Sequence, residues 1–254
     1  MKERPILFSA PMVRALLDGS KTQTRRVVKL RALAGDYFEG GAAGVEFDGF
    51  RIPRDCGPAP ARFSAEAVGG GAFISEELPC PYGAPGDRIW VRETWGVVSN
   101  DWDGNGAPID WTPNRPAMAI SEMPFGKGYY SGHVIYAADG SYEWAGDDDG
   151  GGEPRSAWHP SIHMPRAASR ILLEIVSVRV ERLNDCSEAD AKAEGVKADR
   201  AGGHFIDTPT ARHAAAVGMP AVEAYQSLWE SINGAGSWAA NPWVWVIEFK
   251  RVTP

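Results

Sequence analysis

The sequence has 254 residues, of which 44% are hydrophobic and 23% charged, and a formal net charge of −7. This is ordinary globular composition, enough for one large or two small domains, and its acidity argues against a broad basic face for duplex DNA. Three cysteines without a CxxC spacing, no long apolar run and no signal-peptide core predict a cytoplasmic protein that has no membrane partner.

The first predicted elements are a strand and a helix. Pro5 to Phe8 is apolar, and Pro11 suits the first turn of a helix whose apolar residues then fall on one face. Gly19 is a natural helix end, because glycine takes a left-handed conformation without strain. The polar run at residues 20–26 follows directly. Since it lies just past a helix end, we predict that it is exposed and available for function.

The middle of the chain is irregular. Residues 31–79 are rich in glycine and poorly patterned, which favours an insertion rather than a separate core. After a turn, residues 88–95 predict a strand, and residues 129–137 predict another. Between these strands, residues 99–128 form a second predicted insertion. Asp147–Asp149 begins a solvated loop that lacks the ligand spacing of a calcium site.

The long strand predicted at residues 171–183 leads into a short helix. Ser187 caps this helix, Asp190 completes a capping box, and Gly195 ends it after barely two turns. Residues 198–218 are predicted to be a loop.

The chain then ends on a helix and a strand. Pro220 starts the helix, whose predicted apolar face holds Val222, Tyr225, Leu228, Trp229 and Ile232. Alternation at residues 243–250 predicts a strand with one buried face. Short strands, few helices and no regular βαβ alternation together predict an α+β fold around a small β-barrel.

Four segments resemble the marks of the ASCH family, a branch of the PUA-like superfamily. They are Leu17–Arg26, which contains the GxKTxTxR pattern, Gly86–Asp87, Ser187–Val196, and Val246–Phe249. The resemblance covers about half of the chain and implies a single PUA-like domain over residues 1–254, with flanking short helices and long insertions. The chain also resembles ASCH proteins that phages and prophages encode.

In the polar positions of these four segments, the chain is similar to small N(4)-acetylcytidine amidohydrolases. Motif by motif, the resemblance implies that Lys21, Thr24 and Glu194 are catalytic. It also implies that Arg26 binds substrate, and we expect Arg25, Thr22 and Trp90 to assist. If the assignment holds, Lys21, Thr24 and Glu194 converge on one cleft, and the Lys21 amine and the Glu194 carboxylate lie within about 8 Å, close enough for one water to bridge them.

The chemistry of these residue types is plausible. Threonine becomes a nucleophile only when a base takes its proton, and lysine can be that base if burial or a neighbouring cation lowers its pKa. Glu194 could hold the lysine or carry protons to the leaving amine. The same residues could instead bind a phosphate or a base edge without catalysis.

Three functions therefore stay open. They are hydrolysis of an exocyclic amide on a modified pyrimidine, non-catalytic reading of RNA or a modified base, and ribonucleolytic cleavage. The expected partner is a nucleoside or single-stranded RNA, and no cofactor or metal is expected. His159 and His163 lack further ligands for zinc. Arg166 and Arg170 could face nucleic acid, and one or two tryptophans among Trp90, Trp95, Trp243 and Trp245 could stack a base.

Overall fold

The computed structural model describes most of the chain. The described residues are 1–33, 44–53, 58–67, 73–98, 100–110, 118–125, 128–140, 158–198, 203–205 and 219–252. The chain divides into two compact units. The first comprises residues 1–4, 15–89 and 173–253, and the second comprises residues 5–14, 90–172 and 254.

The fold is α+β, with many strands and three α-helices in the described residues. The helices are α1 (Ala10–Leu17), α2 (Glu188–Ala193) and α3 (Ala221–Asn233). The strands are β1 (Glu3–Leu7), β2 (Gln23–Val27), β3 (Glu46–Phe50), β4 (Ala61–Glu66), β5 (Phe73–Leu78), β6 (Arg88–Arg92), β7 (Trp95–Val98), β8 (Asn100–Trp102), β9 (Pro108–Asp110), β10 (Met118–Phe125), β11 (Gly128–Tyr136), β12 (Leu172–Arg182), β13 (Lys197–Ala198), β14 (His204–Phe205) and β15 (Trp243–Val252).

The largest sheet has five strands in the order β1–β6–β12–β15–β2. Its edge strands β1 and β2 are not paired with each other within the described residues, so the sheet is open. The closed barrel expected from the sequence is therefore not seen. Short strands fit a barrel and an open sheet equally well, because closure depends on long-range pairing that alternation does not encode.

The terminal strand β15 is buried on both faces over residues 244–247, which corrects the prediction of a single buried face. One face carries Trp243, whose ring centroid lies 5.9 Å from that of Phe47 and 6.1 Å from that of Phe63. The other face carries Val244 and Val246, which lie opposite Val27 and Arg25 of β2. Because β15 pairs with a neighbour on each side and is covered on each face, its alternation of apolar and polar residues is incomplete.

Residues 31–79 contain more order than the sequence predicted. They form an antiparallel sheet in the order β3–β4–β5, with Phe63 and Ala61 fully buried. None of these strands joins the five-stranded sheet, and neither do the strands of residues 99–128. The pattern was obscured because β3 carries a register shift between Phe47 and Gly49, which interrupts the period of two.

The second unit has a three-stranded sheet in the order β10–β11–β7. Its core includes Trp95, Val134, Tyr136, Met164 and Ala168. The single strand predicted at residues 88–95 is two strands, β6 and β7, separated by residues 93–94. β8 and β9 pair only with each other.

Several predicted loops lie wholly or partly outside the described residues. The loop at Asp147–Asp149 is one of them. Residues 206–218 of the loop predicted at 198–218 also lie outside the described residues. Near the start of that loop, β13 and β14 form a two-residue antiparallel ladder. α3 follows the prediction, except that Ile232 is 55% exposed. Among the helices that the structure describes, none is both long and apolar enough for a membrane crossing.

Candidate functional site

Four of the seven residues in the polar run after α1 are buried, which corrects the prediction that the run is exposed. Lys21, Gln23, Thr24 and Arg25 are 2%, 3%, 1% and 1% exposed. Two distant segments cover the run: β2 pairs with β15, and the Thr22 amide donates to the Ala193 carbonyl at the end of α2 (2.8 Å). Because these covering segments are distant in sequence, the residues next to the run do not reveal them, and a polar run after a helix is predicted to be exposed.

The helix α2 places Glu194 beside this run. The predicted capping box is confirmed, because Ser187 Oγ accepts from the Asp190 amide and Asp190 Oδ2 accepts from the Ser187 amide, both at 3.1 Å. Glu194 is the C-cap residue, directly after the last helical residue Ala193, and Gly195 follows at φ 101°. A Cβ at Gly195 would lie 3.1 Å from the Ala15 Cβ and 3.5 Å from the Lys21 Cβ. The glycine thus lets the helix end approach Lys21 closely.

Lys21 and Glu194 form a buried ion pair. Lys21 Nζ lies 2.7 Å from Glu194 Oε2 and 2.9 Å from the Glu194 carbonyl oxygen, and the two side chains are 0% and 2% exposed. The expected meeting of these residues, 173 positions apart, is confirmed. Burial lowers the pKa of Lys21, Glu194 opposes this, and the positive charges of Arg26 and Arg25 lower the pKa further.

Arg25 holds the other oxygen of the same carboxylate. Its Nη1 lies 3.4 Å from Glu194 Oε1, and its Nη2 lies 3.4 Å from Asp190 Oδ2 and pairs with Glu181. The guanidinium lies 5.9 Å from the centre of the Tyr225 ring. The sequence suggested that Arg25 binds substrate, but its buried position makes it a holder of carboxylates. Its partners Glu181, Asp190 and Tyr225 were not predicted, because nothing local in the sequence relates them.

Thr24 and Arg26 point to the other face of β2, which corrects the prediction that Thr24 shares one cleft with Lys21 and Glu194. Successive side chains of a strand alternate between faces, and Arg25 faces α2, so its neighbours face away. In agreement, Thr24 pairs with Ile247 and Arg26 with Trp245, on the face of β15 that carries the aromatic side chains. Thr24 is buried and Arg26 is half-buried. Among the described residues, no hydrogen bond joins the Thr24 hydroxyl to Lys21 or Glu194.

The remaining predicted substrate-binding residues, Thr22 and Trp90, differ in their exposure. Thr22 is exposed. Trp90 belongs to the second unit, where it is 7% exposed and the Arg92 guanidinium lies 4.7 Å from its ring centre. Trp95 and Trp245 are core residues at 0% and 2% exposure, as the sequence suggested for most tryptophans.

Two weaker candidates have structural partners. Arg170 does not face an open surface, since its guanidinium forms ion pairs with Glu93 (3.0 Å) and Asp139 (2.7 Å). The His159 ring centre lies 4.9 Å from that of Trp95, and no cluster of three metal-ligating side chains is found in the part of the chain that the structure describes. Burial raises the pKa of Cys186 to about 12, so this thiol is not an activated nucleophile.

The chain was also compared with known proteins. No protein-family model, no curated protein and no solved structure matches it. The assignment of the site therefore depends on the residues themselves, foremost on the buried pair of Lys21 and Glu194 and on the arginine that shares the carboxylate.

Proposed function

We propose that this chain is an ASCH-type, PUA-like protein that hydrolyses an exocyclic amide on a modified pyrimidine nucleoside such as N(4)-acetylcytidine. The observation that carries the proposal is the 2.7 Å contact between Lys21 Nζ and Glu194 Oε2, both excluded from solvent. The order of the elements supports the relation. A strand and a helix precede the motif, a long strand precedes the short helix with Glu194, and the last strand pairs with the motif strand.

The reaction adds water across the bond between the acyl carbon and the exocyclic nitrogen. An oxygen nucleophile adds to the acyl carbon, the C–N bond breaks, and the nitrogen leaves with a proton. In our proposal, neutral Lys21 accepts the proton of the attacking oxygen and passes it to the leaving nitrogen. Burial lowers the pKa of Lys21 and so increases its neutral fraction. Glu194 stabilises the ammonium that forms in between.

The nucleophile is Thr24 or a water molecule. Thr24 lies on the face of β2 opposite to Arg25 and its partner Glu194, so attack by its oxygen requires β2 to rearrange; that oxygen then carries the acyl group until a water releases it as the carboxylate. If water attacks directly, Thr24 only shapes the pocket. Substitution of Thr24 separates the two routes, because it removes a hydroxyl without changing any charge.

A second candidate is a non-catalytic reader of RNA or of a modified base. It is favoured by the state of the Lys21 amine, which already binds both the carboxylate and the carbonyl oxygen of Glu194 and has no exposed surface. In this function the pair is structural and fixes α2 against β2, while the half-buried Arg26 contacts the ligand.

The test is an assay of acylated nucleosides with matched variants. Purified protein is incubated with N-acylated and O-acylated nucleosides and with RNA oligomers, which also detects ribonuclease activity. Lys21→Met removes the proposed base, Glu194→Gln removes the charge that stabilises its ammonium, and Thr24→Ala removes the hydroxyl. Ser227→Ala, an exposed serine on α3, is the matched control. Circular dichroism verifies the fold of each variant.

We expect Lys21→Met to lower kcat/KM by about 10²–10⁴-fold, which is the usual contribution of a general base. Thr24→Ala should lower it comparably if threonine is the nucleophile, because a nucleophile and its base act as a unit. Activity that survives Thr24→Ala assigns the attack to water. If the wild type hydrolyses no acylated nucleoside but binds RNA, the reader function replaces the hydrolase.

A further inference from the structure

A groove in the first unit is built largely from the segment that the sequence marked as an insertion. It has a volume of about 1020 Å³ and is lined by residues 50–53 and 79–81 together with Lys2, Arg4, Pro58, Pro60 and Glu77. Five of the lining residues are prolines, whose fixed φ angles make the walls stiff. The volume is at the upper end of the roughly 300–1,000 Å³ of small-molecule pockets, so the groove is large enough for an extended ligand.

The groove continues into a smaller apolar compartment of about 220 Å³. Phe50, Pro58 and Cys80 line both spaces, and Phe50 is 41% exposed. Val178 of β12 lines the inner compartment, whereas its neighbour Arg179 pairs with Asp190 of α2 at 2.6 Å. Because neighbouring strand residues face opposite ways, the groove lies on the face of the sheet opposite to α2 and its Glu194.

Among the described residues that line the groove, three of the four charged ones are cationic. They are Lys2, Arg4 and Arg51, against one carboxylate, Glu77. Arg4 is held in place by an ion pair, in which its Nη1 lies 2.9 Å from Asp87 Oδ2. The guanidinium also packs closely on Gly83, because a Cβ at that position would lie only 2.8 Å from Arg4 Nη1. Lys2 and Arg51 are exposed, and within the described residues neither side chain forms an ion pair. The chain as a whole has a net charge of −7, so the positive charge of this groove is a local concentration on an acidic protein.

We infer that this groove binds single-stranded nucleic acid. The phosphates lie along Lys2, Arg4 and Arg51, and an unpaired base enters the apolar compartment against Phe50. Cations that follow a backbone, combined with an exposed aromatic ring, are the shared features of single-strand binders. The choice of nucleic acid as the occupant rests on the nucleoside-directed function proposed above, whereas the charge and shape of the groove do not depend on it.

The inner compartment indicates low sequence specificity. None of its lining side chains carries a hydrogen-bonding amide, carboxylate or hydroxyl group. A base there is held by its flat apolar face rather than by its edge, so all four bases are accepted. An acidic peptide would also match the cations, but the flat aromatic surface of Phe50 favours a planar ring over a flexible side chain.

The test measures binding of fluorescent RNA and DNA dodecamers to the full chain over a range of salt concentrations. The charge variant is Lys2→Gln combined with Arg51→Gln. Its matched control is Lys29→Gln combined with Lys192→Gln, two exposed lysines outside the lining of the groove. Phe50→Ala tests stacking, and an acidic peptide and a free nucleoside monophosphate serve as competitors. Hydrolysis of free acylated nucleosides is followed in every variant.

We expect the charge variant to bind roughly tenfold or more weakly and to lower the slope of log K against log salt by about 1.4, or 0.7 per lost phosphate contact. Phe50→Ala should weaken binding about 5- to 150-fold, as loss of one stacked base does. The control should bind like the wild type. Equal loss in the control, stronger competition by the acidic peptide, or no dodecamer binding at low salt would overturn the inference. Normal hydrolysis in a variant that no longer binds dodecamers separates this site from the one at Lys21.

Discussion

In the described residues, each unit of the chain holds a buried ionic cluster, and the two clusters differ in kind. In the second unit, Arg170 binds Glu93 through two hydrogen bonds of 3.0 Å and Asp139 through two of 2.8 and 2.7 Å. Its guanidinium also lies 3.9 Å from the centre of the Tyr136 ring. In the first unit, the Glu194 carboxylate is shared between Arg25 and Lys21.

The difference lies in what each central cation can do. An arginine stays protonated, so the cluster around Arg170 can hold segments together but cannot pass a proton. A buried lysine can lose its proton, and burial lowers the pKa of Lys21. Buried charge alone is therefore a poor indicator of a functional site. A titratable cation that shares a carboxylate with a second, permanent cation is a better one.

Breaking the arginine cluster should produce the largest change in stability. Arg170→Met leaves Glu93, which is 1% exposed, without its cation, and breaking a buried pair from one side costs about 3–5 kcal/mol. Burial already raises the pKa of Glu93, and Arg170 opposes this. Chemical denaturation at neutral pH measures the loss, and hydrolysis per folded molecule should stay unchanged.

The sign of the pH dependence follows from the raised pKa. A carboxyl group whose pKa is higher in the folded state holds more protons there, so the free energy of unfolding falls as pH rises above the reference value of 4.5. Arg170→Met should steepen this fall, which means that the variant recovers part of its stability in acid. Arg170→Lys, which keeps the charge but not the double hydrogen bonds, should fall in between. A loss independent of pH would contradict the role of Glu93.

Local signals predicted much of the secondary structure of both units. Neighbours within a few residues determine the end of α1 just before Gly19, the capping box from Ser187 to Asp190, and the last strand. The meeting of Lys21 with Glu194 was expected only because the chain resembles a family. No feature of composition or period relates two residues that are 173 positions apart.

What the sequence could not supply depends on contacts between distant segments. The polar run from Lys21 to Arg25 reads as exposed because its cover, α2 and β15, lies more than a hundred residues away. Glu93 and Arg170 are 77 positions apart, and neither stands in a motif. The sheet β3–β4–β5 was missed because glycines and a register shift interrupt its alternation. Each of these features requires knowledge of which segments pair.

Removing the permanent cation from the first cluster should change the titration of Lys21, in addition to the stability lost with its ion pairs to Glu181, Asp190 and Glu194. The charge of Arg25 contributes to lowering the pKa of Lys21, so Arg25→Gln should raise that pKa. Because neutral Lys21 is the proposed base, the rising limb of kcat/KM against pH should move to higher pH. Arg25→Lys keeps the charge and should leave the limb in place.

The same titration can be observed without any substrate. The side-chain resonance of Lys21 is identified by its absence from the spectrum of Lys21→Met, and its chemical shift is followed by NMR as pH is raised. The Arg25→Gln variant should deprotonate at higher pH than the wild type. An unchanged titration would show that Arg25 and Lys21 are not coupled through Glu194.

The smallest expected effect concerns the cap of the helix that carries Glu194. Ser187→Ala removes a side chain that accepts from the Asp190 amide at 3.1 Å and donates to Asp190 Oδ2 at 2.6 Å. Loss of such a cap costs about 1 kcal/mol.

Burial of Asp190 raises its pKa, but hydrogen bonds from Ser187 and Gln23 and the charge of Arg25 outweigh this and lower the pKa to about 2. The carboxylate therefore stabilises the fold above its reference pKa of 3.8, and this contribution is lost as pH falls towards 2. Without the Ser187 hydroxyl the pKa of Asp190 rises, so the difference in the free energy of unfolding between variant and wild type should be full at neutral pH and shrink in acid. Ser227→Ala, which removes an exposed serine from within α3, should be neutral or slightly stabilising because alanine is the better helix former. If both substitutions change stability equally, the hydroxyl of Ser187 does not cap α2.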